Sequence, residues 1–178
     1  MDTQLHMSLA ALEEGLDEIH RSPRDRGRVD LVIRTPAVDQ REILAVAELD
    51  PERGLLGDDW WGPDAEPGRQ VTLMNSRAAA LLAQSPDRWA LAGDQLYVDF
   101  DLSVENLPAG TRLAVGSAVL EATGVPHRGC KKFMARFGLD ALAFVNSERG
   151  YALNLRGINA RVITHGTVSP GDVIRKLP

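Results

Sequence analysis

The sequence predicts a mainly β domain of the α+β kind, a barrel or sandwich with a few short peripheral helices and a helix at its N-terminus. From Val29 onward the chain breaks into seven or eight apolar runs of strand length, punctuated by Gly and Pro. Helical periodicity is confined to the start of the chain and to three brief stretches further on. That pattern fits a barrel or sandwich better than a doubly wound parallel sheet, where long helices alternate with strands. At 178 residues the chain has the length of one domain.

The first element follows from Leu5, Leu9, Leu12, Leu16 and Ile19, which fall at spacings of four, three, four and three. They predict one amphipathic helix, capped by Asp2 or Thr3 and stopped at Ser22-Pro23. Residues 1–28 are expected to form this helical extension with its polar connection, and residues 29–178 a single domain without an internal boundary. Strands are expected over Val29–Arg34, Glu42–Leu49, Gln70–Met74, Gln95–Phe100, Thr111–Val115, Ala118–Thr123 and Ile158–Thr164. A last short strand, Val173–Arg175, follows the turn residues Ser169-Pro170-Gly171-Asp172. Helices are expected over Ser76–Ala83, Lys131–Phe137 and Leu139–Val145, with Gly138 separating the last two at a C′ position.

Composition removes several classes of function. With 44% hydrophobic and 25% charged residues, a predominantly disordered chain is excluded. No apolar run approaches the roughly 18 residues of a membrane-spanning helix. The first twenty residues carry acids where a signal peptide would be apolar, so a cytoplasmic protein with no membrane association is expected. The net charge of −5 and the shortness of the one basic cluster argue against nucleic-acid binding. Cys130 is the sole cysteine, which rules out an intrachain disulfide and a multi-thiolate zinc site. The four histidines show no HExxH spacing, and no GxxxxGK[ST] or GxGxxG pattern supports nucleotide binding.

Charge is unevenly spread. Residues 39–66 carry nine acids and two bases, and Gly54, Gly57, Gly62 and Pro63 mark this stretch as a long loop. Its Trp60-Trp61 pair would be costly to leave exposed, so the loop is expected to cover a site or pack on a neighbouring subunit, an arrangement that allows a dimer. Residues 126–138 carry four bases and no acid.

The chemistry concentrates in Pro126-His127-Arg128-Gly129-Cys130-Lys131-Lys132-Phe133. Pro126 ends a strand, Gly129 allows an unusual backbone conformation, and Cys130 would stand at the start of a helix. Unpaired amides at a helix start, and the cations Arg128, Lys131 and Lys132, both favour a thiolate, the nucleophilic and metal-binding form of cysteine. A small buried structural cysteine is the plainer alternative. His127 lies close enough in sequence for a Cys-His dyad, although no residue is placed by sequence to orient its ring. A second cluster, Arg156-Gly157-Ile158-Asn159-Ala160-Arg161, offers guanidiniums suited to phosphate or carboxylate. Arg156 and Arg161 have opposite strand parity, so only one of them would face a common pocket unless a bulge intervenes.

An ordered set of motifs resembles the MOSC domain, named for the C-terminal domain of molybdenum cofactor sulfurases. The set runs through Gly54-Leu55-Leu56-Gly57-Asp58, Arg69 to Met74, Asp101 to Pro108, Gly110 to Leu113, Val115-Gly116, Pro126 to Cys130, Arg156 to Val162, and Gly166-Thr167-Val168 to Gly171-Asp172. The resemblance covers about residues 29–175 and implies a β-barrel-like fold. It also implies a stand-alone MOSC protein that binds molybdenum cofactor (molybdopterin), carries persulfide sulfur, or both, with Cys130 as catalytic residue and metal ligand. His127, Arg128, Lys131, Lys132 and Arg156 are then the candidate cofactor-binding residues. The implied activities are a molybdenum-dependent oxidoreductase acting on a small molecule, such as the N-hydroxylated compounds of some relatives, or a sulfur transferase. Pyridoxal phosphate would enter only through a separate cysteine desulfurase, and a redox partner is the other expected protein contact. Two rival readings stand beside this one. The first is a non-catalytic carrier of an anionic small molecule; the second is a thiol redox protein that borrows its resolving thiol from glutathione or another subunit.

Overall fold

Strands β1 (Arg26–Arg34), β5 (Val71–Asn75), β6 (Leu96–Asp99), β7 (Arg112–Val115), β8 (Ala118–Ala122), β9 (Ile158–Thr164) and β11 (Val173–Lys176) form one closed barrel in the computed structural model, which describes residues 6–178. Their order is β11–β7–β8–β9–β5–β6–β1, and β1 closes the ring on β11 through Gly27 opposite Ile174. Neighbours are antiparallel except β5 and β6, which run parallel. A parallel pair needs a crossover, supplied here by helix α3 (Ser76–Ala83) and a 3-10 stretch over Pro86–Ala92. The short β2 (Glu42–Ile43) extends the sheet beyond β1. Strands β3 (Ala47–Asp50), β4 (Gly54–Leu55) and β10 (Gly166–Val168) make a second, three-stranded sheet.

Strand alternation divides the apolar residues between two cores. Val29, Val32, Leu73, Leu96, Val98, Leu120 and Ile174 fill the barrel, joined by Leu49, Leu55 and Val168 from the small sheet. Ile33, Met74 and Tyr97 point outward from the same strands into a second core. That core is covered by α1 (Leu9–Glu14), α2 (Leu16–His20), α3, α4 (Lys131–Phe137) and α5 (Leu139–Val145). β1, β5 and β6 are therefore buried on both faces, which explains their dense apolar runs.

Several sequence expectations change in detail. The single N-terminal helix is two segments broken at Gly15, a poor helix former whose missing side chain makes room for Leu81, 2.4 Å from where a Cβ would sit. The proposed caps Asp2 and Thr3, and Leu5, lie outside the described residues; α1 is capped by Ser8, which accepts from the Ala11 amide at 3.3 Å. The run Glu42–Leu49 splits because β2 pairs with the barrel whereas β3 pairs with β10 and β4. Helix α6 (Glu148–Ala152), β4 and β10 are too short to show a period in sequence. No helix among the described residues is long and apolar enough to cross a membrane.

Candidate functional site

One end of the barrel gathers the C-terminal ends of β1 and β8 and the N-terminal ends of β6 and β9. The segment from β8 to α4 crosses this end and is held at two points. Asn159 donates to the Val125 carbonyl at 3.0 Å. Asn146, which ends α5, accepts from the Gly129 amide at 2.9 Å and donates back to the Gly129 carbonyl at 3.0 Å. Gly129 serves through its size: a Cβ there would stand 2.8 Å from Leu142 and 2.9 Å from Val145, while its backbone lies outside the left-handed region. This corrects the expectation of an unusual backbone conformation; close packing of α5 on the segment is what requires glycine.

Cys130 follows directly as the N-cap of α4, in extended conformation and exposed at the rim of a cleft of about 270 Å³. Arg156, only 7% exposed, forms part of the cleft wall. It arrives from the turn before β9, where Gly157 has φ +114° and a Cβ would meet the Leu73 carbonyl oxygen at 2.4 Å. Arg156 pairs with the Asp94 carboxylate, donates to the Ala92 carbonyl at 2.7 Å, and lies 5.2 Å from the centre of the Phe133 ring. Its buried Nε has no partner. Asp94 also accepts from the ring of His127, whose Nε2 is 2.8 Å away. Burial pushes the Asp94 carboxyl up, but the Arg156 and His127 charges outweigh it and hold it below the usual range.

Two further guanidiniums converge in the same cleft. Arg41 and Arg136 each place a terminal nitrogen 3.8 Å from where a Cβ on Gly93 would stand. Arg136 donates to the Leu91 carbonyl at 2.8 Å and reaches Asp39 at 3.3 Å. Among the described residues Arg41 has no hydrogen-bond or ion-pair partner, and its Nε is buried. Burial together with the Arg41 charge lowers the Arg136 pKa, a sign of cation crowding. Lys132, Phe133, Asp39, Asp58 and Asp59 also line the cleft. Asp58 is buried and accepts from the Thr35 amide at 2.7 Å and from Gln95 at 3.1 Å. Burial still pushes its carboxyl up.

The Cys130 thiol feels opposing influences. Partial burial raises its pKa, but the Phe133 and Lys132 amides and the charges of Arg156 and Arg136 lower it further, and the net direction is down. The cleft therefore holds a thiolate-prone sulfur beside crowded, incompletely paired guanidiniums. No group of three or more metal-ligating His, Cys, Asp or Glu exists among the described residues.

The residues singled out in the sequence separate into three positions. Cys130, Lys132 and Arg156 share the cleft. His127 sits behind it, tied to Arg156 only through Asp94, and does not reach the sulfur in a dyad. Arg128 turns away and lies over the Tyr151 ring at 3.8 Å, and Lys131 is exposed outside the lining. Arg161 pairs with Glu121 at 2.7 Å on the barrel exterior, as strand parity requires. Trp61 is 52% exposed and stacks loosely with Trp60 at 6.3 Å. Sequence reasoning passed over Arg41, Asp94 and Gln95. Gly93-Asp94 has the composition of an ordinary turn, and Arg41 lies within an acidic stretch; the one available signal was a base isolated among acids beside a strand end.

The fold is a closed mixed barrel, with one exposed thiol in an arginine-rich cleft. Residues 65–175, more than half of the chain, match the family model of the MOSC domain, and the chain belongs to that family. The YuaD protein from Bacillus subtilis has a similar solved structure, 20% identical with a TM-score of 0.61 over 84% of this chain and 94% of that one. YiiM from Escherichia coli is 20% identical with a TM-score of 0.55, over 85% of this chain and 70% of that one. YiiM from Geobacillus stearothermophilus is 13% identical with a TM-score of 0.54, over 85% and 73%. These likenesses are likenesses of fold. No curated protein matches the chain.

Proposed function

We propose that the cleft binds molybdenum cofactor, with the Cys130 thiolate as the one protein ligand to the metal. The observation that carries this reading is the convergence of the guanidiniums of Arg41, Arg136 and Arg156 beside Cys130. Donors of that kind fit the anionic oxygens of a pterin cofactor. The donor set fits as well. With no group of three or more metal-ligating side chains among the described residues, a metal here would take one sulfur from Cys130 and its remaining ligands from the cofactor. MOSC family membership supports the same group.

Within this reading each residue has a physical task. Arg41, Arg136 and Lys132 hold anionic oxygens, and Arg156 does so while fixed from behind by Asp94 and the Ala92 carbonyl. The amides and guanidiniums around Cys130 lower the pKa of its thiol and favour the thiolate. Asn146 fixes the backbone that presents it. When bound, the cofactor would supply two-electron oxygen-atom or reductive chemistry on a small molecule, with electrons from a separate redox partner.

The exposure of Cys130 favours a second reading, in which the thiolate accepts persulfide sulfur from a separate cysteine desulfurase. One experiment separates the two. Molybdenum content per chain is measured after incubation with intact cofactor, for the wild type and for Cys130→Ser. Loading in the wild type that is lost in the variant is expected. Equal loading in both would overturn the ligand role, and loading in neither would leave sulfur transfer, read as a one-sulfur mass increment on Cys130.

A further inference from the structure

We propose that a second cavity, bounded by residues 104–109, residues 124–127 and the turn before β9, binds a small uncharged molecule of the arylurea or aromatic primary amide class, which donates its N–H groups into the cavity wall. The cavity measures about 270 Å³ and shares no lining residue with the Cys130 cleft. Asp94 stands between the two. Its Oδ1 accepts from His127, which lines the second cavity, and its other oxygen pairs with Arg156, which lines the cleft.

Three side chains in the wall share one pattern. Asn159 is only 2% exposed, and its Nδ2 donates to the Val125 carbonyl at 3.0 Å and the Pro126 carbonyl at 3.4 Å, which fixes the amide. No described residue donates to its Oδ1, and that oxygen is not sealed from solvent. Asn154 spends its Nδ2 on the Leu102 carbonyl at 2.8 Å and likewise keeps its Oδ1 free among the described residues. His127 gives its Nε2 proton to Asp94 at 2.8 Å, so Nδ1 of the neutral ring is an acceptor. Each side chain thus uses its N–H on the protein and leaves an acceptor in the wall. An acceptor without a donor on a nearly buried side chain is costly, and a ligand N–H supplies what it lacks. Leu107, Pro108 and Val125 add apolar surface, which suits a single ring bearing a short polar head. Among the described residues no Asp, Glu, Lys or Arg lines the cavity, and Asp94 behind it is already paired with Arg156, so the matching ligand carries no charge.

The test uses the purified chain without molybdenum, so its failure is distinct from failure of cofactor loading. Titration calorimetry with phenylurea is expected to give one site per chain, unchanged in Cys130→Ser. Acetophenone, which has a ring and a carbonyl but no N–H, and the cation benzylammonium should each bind several-fold more weakly. Asn154 has φ +48°, which glycine adopts freely, so Asn154→Gly deletes an acceptor without straining the chain. Phenylurea affinity should fall several-fold in Asn154→Gly and in His127→Phe, while acetophenone affinity holds in both. On the wild type alone, added phenylurea should shift the His127 ring signals in NMR spectra, a readout that needs no substitution. No binding, equal affinity for phenylurea and acetophenone, tighter binding of benzylammonium, loss of binding in Cys130→Ser, or unmoved His127 signals would overturn the proposal.

Discussion

The Asp94 carboxylate has no exposed surface and is paired with the guanidinium of Arg156, whose side chain is 8% exposed. Removing one partner of such a pair leaves the other charge buried and unpaired, typically at about 3–5 kcal/mol. Asp94→Ala is therefore expected to lower unfolding free energy by about that amount in urea titrations. The pH dependence has a definite sign. Asp94 titrates lower in the folded chain, so its contribution is full above the unfolded carboxyl value of about 3.9 and is lost as pH falls through the folded value. The gap between wild type and Asp94→Ala should accordingly narrow on acidification below about pH 4. A gap that stays constant down to the acid limit would contradict the ion pair.

Cys130 should react as a thiolate below the pH at which ordinary thiols do. The pH midpoint for iodoacetamide alkylation is expected below the ordinary value of about 8.5. In Arg136→Gln the midpoint should move up, because one of the charges that favours the thiolate is gone. A midpoint unchanged by the substitution would mean that the amides alone set the thiol.

Asn146 holds the segment before Cys130 through two hydrogen bonds to Gly129. Asn146→Ala is expected to cost about 1–3 kcal/mol, the penalty for leaving buried backbone groups unpaired. It should also change the alkylation rate of Cys130, two measurements that a purely distant stabilising residue would not move together.

Gly157 has no tolerable side chain. Its φ of +114° and the Leu73 oxygen 2.4 Å from a built Cβ mean that Gly157→Ala must strain or shift the turn that delivers Arg156. Backbone strain alone contributes about 1–3 kcal/mol. A clear fall in melting temperature is expected, with weaker retention of molybdenum cofactor if Arg156 holds it.

Much of the barrel was legible because short strands with alternating burial leave a two-residue period. Ile158–Thr164 appears in the structure with the predicted bounds, and Ser76–Ala83 does so with Asn75 as its cap, accepting from the Arg77 amide at 2.8 Å. The N-terminal stripe was legible as helical but not its break, since Gly15 yields to Leu81, a contact 66 positions away that no local pattern carries. Of the site, the sequence singled out Cys130, because its uniqueness, its basic neighbours and its helix start are all local properties.

The rest of the site is a matter of convergence. Lys132 and Arg128 are equally near Cys130 in sequence, yet one lines the cleft and the other lies over Tyr151, because α4 and the preceding segment point them differently. Arg41 and Arg136 meet over Gly93 although 95 positions separate them. The sequence by itself determined the strand-rich class, the single thiol and its cationic setting, for these follow from local spacing and composition. Tertiary packing decided which cations share the cleft with Cys130, since α4, the turn before β9 and the loop before β2 meet there only in the folded chain.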